Sequence, residues 1–261
     1  MKLSVITVCL NNLVGLRQTL DSLASQDTRA FESNVIDGNS TDGTREYLAS
    51  YTPEWPLRFR CESDAGIYDA MNKGVRDARG EYVWFLNAGD TCAQNTTIAT
   101  ILTTLKSVPD IDLLYGKVWF KSEHGLRSVG KRVNSRAFHT MMPICHQGII
   151  YRRETLLANP FSTEYTVISD WIVTRALFER GASSCFLNRH LAIYPLDGAS
   201  SREQMTALRE KLNYEKTWRG KARVLLLHGT HAFALWFAKQ TGFYDWYKKR
   251  RLIPHNRESS V

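Results

Sequence analysis

Three aspartates stand where a hydrophobic run gives way to a short polar cluster, and they are the first candidates for chemistry. The clusters are "DGNSTDGT", which begins at Asp37, "ESDAG", which contains Asp64, and "NAGDT", which contains Asp90. A carboxylate at the end of a strand can accept hydrogen bonds from a nucleobase or a ribose held over the edge of a sheet. Asp90 follows the apolar run "YVWFL", so it could help to hold a metal or a phosphate, or it could simply complete a turn.

The hydrophobic pattern predicts the elements that position these clusters. Apolar runs rich in β-branched residues predict strands, and apolar residues three to four apart predict helices. In the first half of the chain, strands "KLSVITVCL", "FESNVID", "LRFRCES" and "EYVWFL" alternate with helices over Leu16 to Ala24, "TDGTREYLASY", "GIYDAMNKGVRDA" and "TTIATILTTLK". This alternation predicts a parallel sheet with helices on both faces and with all three clusters at its carboxyl edge.

Residues 112–151 predict a different arrangement. The segments "LLYGKVWF", "LRSVGKRV" and "HQGIIY" have the pattern of strands joined by turns, which indicates an antiparallel addition. The segment "SDWIVTRALFERG" predicts a helix with Trp171, Leu177 and Phe178 buried and with Gly181 as its stop. Two short strands, "SSCFLN" and "LAIYPL", and helical structure over about residues 202–250 complete the prediction.

Cysteine usage and missing motifs argue against several classes of protein. The five cysteines are widely spaced without a CxxC pair, which disfavours a disulfide framework or a zinc site and fits a reducing cytoplasm. The absence of GxGxxG, GxxxxGK[ST], HExxH and GxSxG disfavours a dinucleotide oxidoreductase, a P-loop NTPase, a zincin and an α/β-hydrolase. The start "MKLSVITVCLNN" lacks a signal-peptide cleavage pattern and is predicted to be the first strand.

The net charge of +8 is concentrated in residues 218–261, which hold nine Lys/Arg, two acids and three of the seven tryptophans. The apolar run within residues 218–261 is interrupted by "HGTH". We therefore expect this segment to be a helical tail that lies on an anionic membrane surface, and not a transmembrane span. The alternative is a pair of helices packed on the preceding domain with a solvated basic end. The rest of the chain is nearly neutral and gives no reason to expect nucleic acid as a partner.

The ordered clusters resemble the family 2 glycosyltransferases, which have the GT-A fold. The resemblance covers roughly residues 2–200 and is carried by "SVITVCLNN", "VIDGNSTDGT", "ESDAGIYDAMNKG", "FLNAGD", and "ICHQGIIYRRE" followed by "ISDWIVTRAL". These forms are close to those of bacterial exopolysaccharide, O-antigen and colanic-acid-type enzymes. The resemblance implies an α/β, Rossmann-like fold with a mostly parallel central sheet flanked by helices, a small antiparallel addition and C-terminal helices.

The resemblance also implies a division of the chain. Residues 1–217 would form the catalytic domain, with a nucleotide-sugar-binding half at 1–110 and an acceptor and catalytic half at 111–217. Residues 218–261 would form the basic aromatic tail.

Nucleotide contacts are implied at the ends of the first strands. The resemblance implies that Thr7 lies beside the nucleotide, that Asp37 contacts uridine, and that Asp64 lies near the base and diphosphate. An Asx turn or a helix cap is the alternative for Asp37, although Asp42 suits the cap better. Many relatives carry two adjacent acids at the first of these clusters, and here Gly38 takes the second place.

The helix after this third strand departs from the family pattern. Many relatives carry an arginine before its asparagine, where it reaches the diphosphate, and here that place is Met71. Asn72 and Lys73 are the resulting candidates for donor contact. Asp69 and Lys73 are four residues apart, so a surface ion pair is the alternative for the lysine.

The cluster "NAGD" corresponds to the acidic metal-binding motif of the family. Asn87 and Gly89 replace two acids and Asp90 remains. Mg²⁺ or Mn²⁺ can be held by one or two carboxylates together with substrate phosphates. The resemblance therefore implies a divalent metal at Asp90, with Asn87 beside the donor, and the metal would neutralise the leaving nucleoside diphosphate. A simple turn stays open as the alternative.

Asp170 begins the helix "SDWIVTRAL". The resemblance implies that it is the base that takes the proton from the acceptor hydroxyl in an inverting transfer. The alternative is an acid favoured by the helix dipole. Ser169 stands where many relatives have Glu or Ala. Arg175 occupies the place of a family arginine, and a substrate contact and a structural ion pair are equally expected.

His146 and Gln147 are implied to lie near the donor sugar or the acceptor, with a buried, hydrogen-bonded histidine as the alternative. The adjacent Cys145 suggests a thiol nucleophile, but no third orienting group is identifiable, which argues against that mechanism.

These expectations combine into one predicted activity. The chain would transfer a hexose from a nucleotide sugar, in the first place a UDP-sugar, to a polyprenyl-diphosphate-linked oligosaccharide in O-antigen or exopolysaccharide synthesis. It would be cytoplasmic and peripheral on the inner face of the plasma membrane. One alternative is a metal-independent transferase. The other is a non-catalytic protein that binds a sugar nucleotide or scaffolds a synthase complex, and the loss of acids at Asn87 and Gly89 favours this second alternative.

Overall fold

Four parallel strands form one side of a nine-stranded sheet in the computed structural model, which describes residues 1–138, 142–196 and 204–226. They lie in the order β3-β2-β1-β4, and the residue pairs Ser4–Glu32 and Ser4–Val83 set the register of β1 with β2 and with β4. The predicted parallel sheet is therefore confirmed. These strands are β1 (Leu3–Cys9), β2 (Glu32–Asp37), β3 (Leu57–Cys61) and β4 (Tyr82–Phe85).

Helices cover both faces of these strands. Apolar residues of α1 and α4 pack on one face, and those of α3 pack on the other. Gly74 lets α3 approach β1 closely, because a Cβ atom there would collide with Ile6. The four helices are α1 (Leu13–Ala24), α2 (Thr44–Ser50), α3 (Ile67–Asp77) and α4 (Thr97–Ser107).

The second half of the sheet is mixed, as the antiparallel prediction anticipated. β8 lies between β4 and β6 and runs antiparallel to both, whereas β9 runs parallel to β6. The short β5 pairs with β9, and β7 pairs with β6. These strands are β5 (Thr91–Cys92), β6 (Leu113–Ser122), β7 (Gly125–Val129), β8 (Ile149–Arg152) and β9 (Ser184–Pro195).

Two strand predictions were wrong in detail. The segments "SSCFLN" and "LAIYPL" form one strand, β9, because Arg189 and His190 between them continue the strand. Its register with β6 shifts there, and the pairing resumes between Lys117 and His190. The start of "HQGIIY" is a 3₁₀ turn over His146–Gly148, and the strand begins only at Ile149.

Helices of the second half pack against the α3 face. Trp171, Leu177 and Phe178 are buried there as predicted, and α6 ends before Gly181, which has a φ of +78°. Residues 218–226 are also helical, residues 215–217 between them and α7 are not, and residues 227–250 of the predicted helical region lie outside the described residues. The helices are α5 (Arg153–Ala158), α6 (Ser169–Glu179) and α7 (Gln204–Tyr214).

No helix within residues 1–138, 142–196 and 204–226 combines the length and the apolar composition needed to cross a bilayer.

Candidate functional site

The loops that follow β1, β2 and β4 meet at the carboxyl edge of the sheet. Asn11 Oδ1 accepts a hydrogen bond from the Thr41 backbone N–H at 2.9 Å, and Asn12 Nδ2 donates to the Ala88 carbonyl at 2.9 Å. Two asparagines after β1 thus tie the other two loops together. The predicted convergence of the polar clusters is confirmed.

Asp37 is buried in its own turn. Its Oδ2 atom accepts from the Ser40 backbone N–H at 3.0 Å, and its Oδ1 atom accepts from the Ser40 hydroxyl. Asp42 joins two helix starts, since it accepts from the Leu13 N–H at 2.8 Å and from the Thr44 hydroxyl at 2.6 Å. These contacts match the turn and cap that were the alternatives. Uridine contact by Asp37 stays a prediction.

Thr7 is fully buried in β1, and its hydroxyl has no hydrogen-bond partner among the residues that the structure describes. Contact between Thr7 and the nucleotide stays a prediction.

The carboxylate of Asp64 explains why glycine follows Asp37. Asp64 Oδ1 accepts from the Gly66 N–H at 2.9 Å. A Cβ atom at Gly38 would lie only 2.7 Å from Asp64 Oδ2 and 3.2 Å from a methyl group of Leu10. The side chain of Asp64, which follows β3, therefore lies next to position 38, where many relatives carry a second acid.

Asn72 and Lys73 are engaged within the protein. The amide of Asn72 donates to the Phe161 carbonyl at 2.8 Å and accepts from the Phe161 N–H at 3.0 Å. Lys73 Nζ lies 3.1 Å from Glu62 and 3.2 Å from Asp69. The expected i,i+4 ion pair between Asp69 and Lys73 is present. Contact of Asn72 or Lys73 with the nucleotide sugar, as predicted, would compete with these contacts inside the protein.

Asp90 closes a tight turn at the end of β4. Its Oδ2 atom accepts from the Asn87 N–H at 3.0 Å, and its carboxylate also hydrogen-bonds the side chain of Gln147. Burial raises the pKa of Asp90 to about 7 in spite of these two hydrogen bonds. Thr19 of α1 supports the turn, because its hydroxyl contacts the Asp90 carbonyl at 2.7 Å and the Gly89 N–H at 3.0 Å.

The turn offers two oxygen atoms that suit a divalent cation. One is the carboxylate of Asp90, and the other is Asn87 Oδ1, which is buried and has no hydrogen-bond partner within the described part of the chain. Across the described residues, no group of three or more His, Cys, Asp or Glu side chains could hold a metal. The donor set therefore fits an ion that takes its other ligands from substrate phosphates and water.

Asp170 lies in the first turn of α6 with its two oxygens in different surroundings. Oδ1 accepts from the Tyr68 hydroxyl at 2.9 Å and from the Trp171 N–H at 2.8 Å. Oδ2 lies 3.9 Å from His146 Nδ1, beyond hydrogen-bond distance, and 19% of the side chain is exposed. Oδ2 is therefore the oxygen better placed to meet a substrate.

The turn His146–Gly148 lies between the two carboxylates, since His146 faces Asp170 and Gln147 binds Asp90. His146 is buried and stacks on Phe85 with ring centroids 5.1 Å apart. Burial lowers the pKa of His146, with the Asp170 charge opposing, so the ring is neutral at pH 7 and its contact with Asp170 is not an ion pair.

Cys145 precedes this turn and is not suited to be a nucleophile. Burial raises the pKa of its thiol, and the charges of Asp90 and Asp170 raise it further. The thiol is therefore protonated at neutral pH, which agrees with the argument against thiol chemistry.

The positive charge of Arg175 is balanced by two glutamates and is not directed at the site. Its guanidinium binds Glu179 at 2.8 Å and Glu215 at 2.6 Å, which is the structural ion pair expected as one alternative. It also lies 5.1 Å from the centre of the Trp171 ring.

Three residues near the site were not identified from the sequence. Tyr68 contacts Asp170, Thr19 supports the Asp90 turn, and Glu210 of α7 binds the segment before α6. The only signal in the sequence was for Thr19, a polar residue on the buried stripe of α1. Tyr68 and Glu210 sit in ordinary helical patterns and gave none.

Most of the region that holds the site matches known sequences. Residues 4–178 match the family described as Glycosyl transferase family 2. A PGL/p-HBAD biosynthesis glycosyltransferase of Mycobacterium tuberculosis (strain ATCC 25177 / H37Ra) is 33% identical over 171 residues. The match spans 64% of this chain and 66% of that relative, just under two thirds of its length.

Solved structures share the fold. Residues 1–349 of S. aureus TarS, in complex with UDP-GlcNAc, superpose with a TM-score of 0.64 at 22% identity, covering 86% of this chain and 70% of the other. The mannosyltransferase PcManGT of Pyrobaculum calidifontis, in complex with GDP-Man and Mn²⁺, gives a TM-score of 0.62 at 20% identity, covering 90% and 69%. At these identities the likeness concerns the fold alone.

Proposed function

The chain belongs to glycosyl transferase family 2 and has the GT-A fold of its structural neighbours, and from this premise we propose that it is an inverting glycosyltransferase. Its donor would be a UDP-hexose, and its acceptor a hydroxyl group of a polyprenyl-diphosphate-linked oligosaccharide in O-antigen or exopolysaccharide synthesis. The observation that carries this proposal is the pair of carboxylates, Asp90 and Asp170, on either side of the turn His146–Gly148.

Asp170 acts as the base in this proposal, through Oδ2. The acceptor hydroxyl would give its proton to Oδ2 while its oxygen forms the bond to the anomeric carbon. The bond from that carbon to the diphosphate breaks, and its electron pair leaves on the nucleoside diphosphate. Attack from the face opposite the leaving group inverts the anomeric centre. A base held in this way contributes roughly 10²–10⁴-fold to the rate.

Tyr68 and Trp171 support this role, because they hold Oδ1 and leave Oδ2 for the acceptor. Neutral His146 supports it as well, since it does not tie Asp170 into an ion pair.

Asp90 and the amide oxygen of Asn87 are the proposed protein ligands of Mn²⁺ or Mg²⁺. When bound, the cation would neutralise charge on the leaving nucleoside diphosphate, an effect worth several kcal/mol. Lys73 and Arg175 are not proposed to take the place of this cation, because their charges are already balanced by ion pairs. The Mn²⁺ in the complex of the archaeal mannosyltransferase supports the same choice.

A nucleotide-sugar donor is supported by the UDP-GlcNAc complex of TarS. In this chain, Thr7, Asp37 and Asp64 are the proposed contacts for its nucleotide part, since they lie on the first three strands or just beyond their carboxyl ends.

The acceptor would be reached at the inner surface of the plasma membrane. Trp218 is 74% exposed and Leu226 is 67% exposed, and the basic side chains of this segment are exposed beside them. Those basic residues are Lys216, Arg219, Lys221 and Arg223. Exposed apolar and basic side chains together favour an anionic lipid surface. The remaining tail, with Lys248–Arg251, lies outside the described residues, and at about 1 kcal/mol per basic residue it would give reversible attachment.

The catalytic proposal is tested by following UDP release and glycolipid product with a panel of UDP- and GDP-sugars and membrane extracts as acceptor. We expect Asp170→Asn to lose at least about a hundredfold in turnover. Asp112→Asn is the matched control, because Asp112 is also hydrogen-bonded, to Ser183 at 2.8 Å, but lies at the amino end of β6. Full activity of Asp170→Asn would remove the proposed base. UDP binding without UDP release would favour the non-catalytic alternative.

The membrane proposal is tested by co-sedimentation of the full chain with anionic vesicles. We expect binding that salt weakens and that is lost when Lys248, Lys249, Arg250 and Arg251 are all replaced by Gln. Binding equal to that of the wild type would contradict it.

A further inference from the structure

Glu210 of α7 binds the chain segment that leads into the helix of Asp170. One of its oxygens, Oε1, accepts from the backbone N–H of Thr166 at 2.7 Å and from the hydroxyl of Thr166 at 2.7 Å. The other, Oε2, accepts from the N–H groups of Val167 at 3.1 Å and Ile168 at 3.2 Å. Glu210 is only 8% exposed, so water does not replace these bonds easily.

This carboxylate occupies the amino end of α6. Ile168 is the N-cap residue of that helix and makes no side-chain cap hydrogen bond. The first N–H groups of a helix and of the turn before it lack partners within the helix, and a negative charge there is favoured by the helix dipole. Glu210 supplies, from another element, a partner for the N–H of Ile168 and for the two N–H groups before it.

The same segment is connected directly to Asp170. The Tyr68 hydroxyl lies 2.7 Å from the Val167 carbonyl and 2.9 Å from Asp170 Oδ1. Glu210 holds the N–H of Val167, and Tyr68 holds its carbonyl, so the backbone two to four residues before Asp170 is fixed from both sides. A shift of this segment would move the carboxylate that Tyr68 holds.

Further contacts keep α7 against α6. The rings of Trp171 and Tyr214 pack edge to face with centroids 5.5 Å apart, and Lys211 Nζ lies 5.4 Å from the centre of the Trp171 ring. Arg175 binds Glu215 just beyond the end of α7. The helix that carries Glu210 is therefore seated along the first two turns of α6.

We propose that Glu210 is a positioning residue for the transfer reaction: it sets the orientation of Asp170 by holding the backbone of residues 166–168. The role rests on the proposed function of Asp170 as the base. Glu210 touches no reacting atom, and its effect on turnover is exerted through the segment that it binds.

The chain offers a matched control in Glu32. That glutamate is 3% exposed and likewise accepts several hydrogen bonds, from Ser4 at 2.6 Å, the Arg79 N–H at 2.6 Å and Arg58 at 2.9 Å. It lies at the amino end of β2, away from the carboxyl edge. Replacing either glutamate by glutamine removes a buried, hydrogen-bonded charge, but only one of them is connected to Asp170.

The experiment compares the wild type, Glu210→Gln, Glu210→Ala and Glu32→Gln, all as full chains well below their melting temperatures. Turnover and the KM for the nucleotide sugar are measured per UDP-binding site, so that unfolded protein is not counted. We expect turnover to fall about tenfold or more in Glu210→Gln, further in Glu210→Ala, and not in Glu32→Gln, with the donor KM unchanged within about twofold.

Hydrogen exchange read by mass spectrometry gives a measurement that needs no activity. We expect amides of the segment 166–171 to exchange faster in the two Glu210 variants and at the wild-type rate in Glu32→Gln. Turnover in Glu210→Gln equal to that in Glu32→Gln, or unchanged exchange in this segment, would overturn the positioning role. A wild type that transfers no sugar from any donor would instead overturn the proposed function itself.

Discussion

The Tyr68 hydroxyl should be the most informative single atom to remove from this site. Tyr68→Phe keeps the ring, which packs beside Phe161 with centroids 5.6 Å apart, and deletes only the group shared by Val167 and Asp170. Burial raises the pKa of Tyr68 well above its ordinary value, and Asp170 raises it further, so the hydroxyl stays a donor at every working pH.

The size of the effect follows from these contacts. Tyr68 is 6% exposed, so water cannot restore the lost bond, and a hydrogen bond to a charged group is worth about 1.5–3 kcal/mol. At about 2–4 °C per kcal/mol for a chain of this size, the melting temperature should fall by roughly 3–12 °C. If half of that energy orients Asp170 in the transition state, turnover falls about 3.5- to 13-fold.

The assay pairs thermal unfolding with UDP-release kinetics, and Tyr82→Phe is its control. The Tyr82 hydroxyl is also buried and donates to the Ile111 carbonyl at 3.0 Å, but it lies at the amino end of β4. Its neutral hydrogen bond is worth about 0.5–1.5 kcal/mol, and its loss should leave turnover unchanged. A Tyr68→Phe enzyme with the stability and turnover of Tyr82→Phe would refute the view that Tyr68 holds Asp170.

Other expectations follow from the same contacts. Asn72→Ala should lower the free energy of unfolding by about 2–4 kcal/mol, because both backbone groups of Phe161 lose a buried partner, while UDP affinity measured by calorimetry stays unchanged; weakened UDP affinity would instead support a donor contact. A chelator should abolish transfer and Mn²⁺ or Mg²⁺ should restore it, and Asp90→Asn should not be restored; indifference to the chelator would favour the metal-independent alternative. Burial raises the pKa of Glu210, but the hydrogen bonds from residues 166–168 lower it by more, so the pKa in the folded protein is below the ordinary 4.5. The carboxylate therefore stabilises the fold above pH 4.5, and this stabilisation is lost as the pH falls through the lowered pKa. The stability gap between wild type and Glu210→Gln, from urea unfolding, should therefore be larger at pH 7 than at pH 3, and a gap independent of pH would contradict this reading.

The hydrophobic periodicity of the sequence predicted the first half of the fold, because the strands and helices of that half are long enough to show a repeating pattern. The strands β1–β4 and the helices α1–α4 were all expected, and so was the shared carboxyl edge of the sheet. The missed elements are short: β5 has two residues and α5 has six. Elements of this length contain less than two full periods of a hydrophobic pattern.

The partners of individual side chains were much harder to predict. Lys73 could be expected to pair with Asp69 because both lie on one helix, and it does. Asn72 binds Phe161, which is 89 positions further along the chain, and Glu210 binds Thr166, which is 44 positions away. No local pattern marks either pair.

The sequence by itself determined the order of β1–β4 and α1–α4, the meeting of three acidic clusters at one sheet edge, and the place of Asp170 in the first turn of a helix. Local hydrophobic periods and strand direction suffice for these features. The tertiary structure alone decided which oxygen of Asp170 is left open, why glycine stands beside Asp64, and which buried group caps α6. Those outcomes depend on close packing between segments far apart in the chain, where a few tenths of an ångström decide whether two groups hydrogen-bond or collide.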